Sequence, residues 1–121
     1  MNLREEFDRV WPWLAQAILA YGPTHTKDDV WRRIEAGEVH LFAMPNAAMA
    51  IELKRWPTGF KEAVAWLAGG SGEEIETFTP RIEAWARAEG CHRAAIIAGR
   101  AGWQRRRGGY RMAGVYLTKD L

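Results

Sequence analysis

The chain has 121 residues, 48% of them hydrophobic, 26% charged and 12% aromatic, which is enough for one domain with its own core. That balance excludes a disordered chain, and no apolar run approaches the ~18 residues of a membrane span. A single cysteine, Cys91, excludes an intrachain disulfide. With an opening segment unlike a secretory leader, it sets the expectation of a cytoplasmic protein.

The net charge of +2 conceals an asymmetry. Residues 1–90 hold 10 Lys and Arg against 14 Asp and Glu, whereas residues 91–121 hold 7 against 1. The basic pole is chiefly Arg100, Arg105, Arg106, Arg107 and Arg111. Such a pole suits phosphate on a nucleic acid, nucleotide or cofactor; a solvated face balanced by the acidic segments is the alternative.

Leu3, Phe7 and Val10 share a helical stripe. Trp11-Pro12-Trp13 interrupts it, because proline suits a first helical turn and damages an interior. Residues 12–20 therefore read as a second helix or a kinked continuation, with Leu14, Ile18 and Tyr21 inward. Gly22-Pro23 ends this helical extension of residues 1–23. Thr26 is an expected N-cap, with Asp28 and Asp29 in the first turn of a helix that buries Val30, Trp31 and Ile34 and ends near Gly37.

The period then changes to two. Residues 39–44 read as a strand, Pro45-Asn46-Ala47 as a turn, and residues 49–56 as the hairpin partner. Pro57-Thr58-Gly59 turns the chain into a third strand, residues 60–68, with Val64, Trp66 and Leu67 as its candidate buried residues. Short connections make the three an antiparallel meander. Ser71 followed by Glu74 has the form of a capping box, starting a helix that passes Thr79-Pro80, faces the sheet with Ile82, Trp85 and Ala86, and closes at Gly90. Residues 93–98 read as a crossover strand with a parallel neighbour. A short helix over 101–107 and a last strand over 111–118 complete the expected order. The fold class is α/β in the sense of an α+β sandwich: one domain over 1–121, a mixed sheet, helices on both faces.

Few residues carry chemistry on their own. His25, His40 and His92 lack metal-ligand spacing, and one cysteine completes no zinc site, so no metal is expected. Cys91 beside His92 reads as a spectator thiol. The segment Leu67, Ala68, Gly69, Gly70, Ser71, Gly72 runs into a helix start, where bare backbone N–H groups favour phosphate oxygens. Either it cradles a pyrophosphate or it makes a tight turn, and Glu73, Glu74 and Glu76 oppose an anion there. Residues 99–110 set arginines beside Trp103 and Tyr110, which suits nucleic acid or an aromatic anchor with solvated arginines.

The order of elements over about 24–121, and Ala101, Gly109 and Tyr110 in the C-terminal segment, resemble the GCN5-related N-acetyltransferase superfamily. His25-Thr26, Gly69-Gly70, Gly90-Cys91 and Gly99 to Trp103 are more narrowly similar to the short acetyltransferase-like proteins of tailed phages and prophages, some of them associated with virion morphogenesis. The resemblance implies acetyl-CoA in a gap between two central strands, with its pyrophosphate on the loop of Leu67, Gly69, Gly70, Ser71 and Gly72, and with Arg100 and Arg105 near the cofactor. Leu67 stands where the family has Arg or Gln, Ala98 where it has asparagine, and Arg105 where it has a proton-donating tyrosine. Arginine is no practical acid at neutral pH. The expectation is a non-catalytic component of virion assembly or an adaptor, in host cytoplasm or virion, with a protein partner or self-association. The alternative is an acetyl-CoA-dependent N-acetyltransferase acting on an amine, with Glu52 as base.

Overall fold

A computed structural model describes residues 1–97 and 109–121. Its elements are α1 (Leu3–Leu19), α2 (Lys27–Glu35), β1 (Val39–Met44), β2 (Ala47–Arg55), β3 (Lys61–Gly70), α3 (Gly72–Ala88) and β4 (Arg93–Ile96). The strands form a four-stranded mixed sheet in the order β1-β2-β3-β4, antiparallel except for the parallel pair β3–β4. This is the mixed sheet with a meander and crossover strand that the sequence predicts.

Helices α1 and α2 cover one face. Phe7, Val10, Leu14 and Ile18 of α1 and Val30 and Ile34 of α2 pack with Val39, Ala48, Ala50 and Leu67. Helix α3 covers the other face, where Ile75, Ile82 and Ala86 meet Met44, Met49, Ile51, Ala63 and Ala65. Alanines and glycines recur along β2 and β3, and the largest fully buried side chains come from both layers, Phe7, Leu14 and Ile75 from the helices and Ile51 and Leu67 from the strands. Burying these apolar surfaces is the main force holding the layers together.

Of the two readings at Pro12 the structure forms the continuation, and two other local readings change. Helix α1 runs unbroken through Pro12; Pro12 lies on the exposed side, so the lost amide bond is tolerated where the opposite side of the helix is anchored in the core. Leu3, expected on the buried stripe, is 50% exposed at the helix start. The expected strand over 111–118 is not formed: residues 110–121 have no regular secondary structure, and Val115, Tyr116 and Leu117 are exposed. Gly114 weakens that run, and no neighbouring strand among the described residues satisfies its backbone. The helix expected over 101–107 lies outside the described residues.

Candidate functional site

The site begins at an irregularity in β3. Ala50 pairs with Leu67 but Ile51 pairs with Ala65, so Trp66 is an extra residue, a β-bulge. The bulge puts both Trp66 and Leu67 on the α1/α2 side, which strict alternation forbids. It also coincides with the end of the described β3–β4 ladder, at Ala65 opposite Ile96 and the Ile97 N–H to Ala65 carbonyl bond of 3.3 Å.

A cavity of about 460 Å³ adjoins this place. Trp13, Gln16 and Tyr21 line it from α1 and the following turn, Ala68 and Gly69 from β3, Ile97 from the exit of β4, and Tyr116 from the C-terminal segment. The Tyr21 hydroxyl donates to the Ile97 carbonyl, and its ring meets Tyr116 edge-on at 6.3 Å. Partial burial, then the neighbouring Tyr116, pushes the Tyr21 phenol above its ordinary pKa.

Gly69 and Gly70 end β3 rather than forming a loop, paired with Ala48 and Ala47. Both positions are crowded. A Cβ on Gly69 would lie 2.4 Å from the Trp13 carbonyl oxygen, and one on Gly70 2.4 Å from the Asn46 carbonyl oxygen. Gly70 also has φ +94°, a conformation that favours glycine. The Ser71 N–H is spent on the Asn46 carbonyl at 2.8 Å, and Ser71 Oγ accepts from the Glu74 N–H at 3.2 Å.

The reciprocal arm of the expected capping box goes elsewhere. The Glu74 carboxylate accepts from Asn46 N at 2.9 Å and Asn46 Nδ2 at 2.7 Å, tying the helix start to the β1–β2 turn. Glu73 shares that first turn. The first turn of α3 therefore carries two carboxylate residues, whose negative charge already complements the positive helix end.

The other candidates lie apart. Leu67 is 1% exposed in the α1/α2 core. Gly72 begins α3. Glu52 does not line the cavity; it faces Arg33 Nη2 at 3.7 Å, and Arg33 also pairs with Glu38 and lies over Trp66 at 4.7 Å. Arg100, Arg105, Arg106 and Arg107 lie outside the described residues, and Arg111 is exposed. Each histidine has a local partner: His25 contacts Thr24 and Trp66, His40 packs against Trp85, and His92 Nδ1 accepts from the Lys61 N–H. Burial pushes the Cys91 thiol up, with Lys61 acting against it. Among the described residues no His, Cys, Asp or Glu side chains gather in a metal-binding group, and no helix is long and apolar enough to cross a membrane.

Sequence reasoning missed Tyr21 and Asn46. Tyr21 reads only as an inward residue before a Gly-Pro stop, although a tyrosine with a buried ring usually needs a partner for its hydroxyl. Asn46 reads only as a turn residue, and its partner Glu74 is 28 positions away. The chain matches no family model, no curated protein and no solved structure.

Proposed function

We propose that this chain is a non-catalytic domain of acetyltransferase-like layout that acts through protein contacts, as an assembly or adaptor component. By the same resemblance it is of phage or prophage type. The supporting observation is the filled turn at Gly69-Gly70-Ser71. Its glycines make room for Trp13 and Asn46, its Ser71 N–H is already bonded, and Glu73 and Glu74 put negative charge where a pyrophosphate would need to lie. Two carboxylates within a few ångströms of a diphosphate cost more than one helix end returns. Equilibrium dialysis against labelled acetyl-CoA tests this: the reading requires no retention, and retention at micromolar ligand overturns it.

One observation favours an acyltransferase as a second reading. The Tyr21 phenol stands in the cavity beside the bulge, where an acid for a leaving thiolate would serve. That reading requires thiol release from acetyl-CoA in the presence of an amine, lost in Tyr21→Phe. No release across a panel of amines and protein lysines removes it.

A further inference from the structure

The β2–β3 hairpin turns, at the opposite end from Gly69 and Gly70, through Trp56-Pro57-Thr58-Gly59-Phe60. Helices α1 and α2 do not reach this end: their core takes Ala48 and Ala50 from β2 and stops short of Glu52. The Trp56 N–H donates to the Phe60 carbonyl at 2.8 Å, one step beyond the Arg55–Lys61 pair, so the ladder continues into the turn. Alternation then puts Lys54, Trp56, Phe60 and Glu62 on the face that α1 and α2 leave open, with Arg93 of β4 beside Glu62.

The charge here is one-sided. Lys54 and Arg55 are exposed, and neither they nor Lys61 is ion-paired among the described residues. Lys61 Nζ donates to the Glu89 backbone carbonyl at 2.6 Å. Of the carboxylates nearby, Glu62 is buried and bonded to Trp56 and Arg93, and Glu52 faces Arg33, which leaves Glu89 beside Lys61 to oppose the cations. The rings lie against cations: Lys54 Nζ is 4.4 Å from the Trp56 centroid, and Arg93 Cζ is 4.9 Å from that of Phe60. His92 stacks on Phe60 with the two planes 15° apart.

We propose that this hairpin end binds single-stranded nucleic acid. Lys54, Arg55, Lys61 and the half-exposed Arg93 guanidinium meet phosphates. Trp56, 39% exposed, stacks a base where the Lys54 ammonium now lies, and the flexible lysine stem carries that ammonium to a phosphate. An acidic peptide would answer the cations but brings no planar groups for the rings. A bilayer would need an apolar tip, and the tip is Pro57-Thr58-Gly59. Trp56 Nε1 is already spent on Glu62, so the platform holds bases by their faces and is tolerant of sequence. The proposal does not depend on whether acetyl-CoA binds.

Fluorescence anisotropy of the full chain with end-labelled oligothymidylate, with an abasic strand of the same length and with a duplex, tests it. The oligothymidylate should bind at least about tenfold more tightly than the abasic strand, because stacking is lost with the bases. Its log affinity should fall against log salt with a slope of about −2 to −3, for three or four phosphates at about −0.7 each. Lys54→Glu with Arg55→Glu, at exposed positions, should weaken binding about tenfold or more while leaving the circular dichroism unchanged. Unaltered binding by that double variant overturns the proposal. So does an abasic strand held as tightly as oligothymidylate, a duplex held more tightly than the single strand, or no binding at low salt.

Discussion

Arg93 Nε donates to Glu62 Oε2 at 2.8 Å across the parallel β3–β4 pair, and the carboxylate side chain is 6% exposed against 49% for the arginine. Trp56 Nε1 donates to the other carboxylate oxygen at 2.9 Å. Glu62 and Arg93 thus clamp one end of a strand pair whose other end meets the bulge at Trp66 and the cavity. Their unequal burial makes the two truncations unequal. Glu62→Gln leaves a half-exposed guanidinium that water can solvate, and should cost about 1 kcal/mol. Arg93→Ala leaves a buried carboxylate with the indole as its remaining side-chain donor among the described residues, and should cost about 2–3 kcal/mol. Urea denaturation of both variants checks the order, and equal losses would contradict it.

Gly69→Ala and Gly70→Ala should each destabilise the protein by about 1–3 kcal/mol through overpacking, with Gly70→Ala the worse because of its positive φ. The added methyl meets backbone in both cases, the Trp13 carbonyl or the β1–β2 turn, and backbone cannot swing aside as a side chain can. Thermal melts of the two variants, with circular dichroism to confirm the fold, provide the measurement. A neutral Gly70→Ala would mean the turn is looser than described.

Periodicity and end signals make most of the fold readable in the sequence. Thr26 caps α2 with the full reciprocal box, and Ser71 caps α3, because these signals act within four residues. The site is less readable because its determinants are long-range. The crowding of Gly69 by Trp13 and the seizure of Glu74 by Asn46 depend on which strands become neighbours. A glycine run written for close approach by the chain itself looks the same as one written for a phosphate. The bulge at Trp66 is hidden for a related reason: Val64, Trp66 and Leu67 are all apolar, so the break in alternation leaves no mark. Tyr21 acquires its partner only through the fold, 76 positions away at Ile97.

The α2 cap gives a pH-dependent signature. Asp29 is held below the usual carboxylate range by the Thr26 backbone N–H, then by the Thr26 side chain, with Arg32 adding to this. Because the folded value lies below the unfolded one, the cap stabilises above the ordinary carboxylate pKa and is lost as pH falls through the folded value. Thr26→Ala should cost about 1 kcal/mol at neutral pH. It should also move the Asp29 titration, followed by NMR, upward; an unmoved titration would refute the assignment.

The raised Tyr21 phenol acts at the alkaline end. The folded state holds its proton to higher pH than the unfolded chain, so stability falls as pH rises from about 10 through the folded value. Tyr21→Phe should lessen that fall and remove a late-titrating phenol from the ultraviolet difference spectrum. A Tyr21 phenol that ionises at its ordinary value would show that the contact with Ile97 does not persist in solution.

The central claim is that the end of β3 and the start of α3 are already occupied by the protein itself. Calorimetric titration of the full chain with acetyl-CoA tests it most directly. The account predicts no saturable heat through millimolar ligand; a one-to-one isotherm in the micromolar range would contradict it.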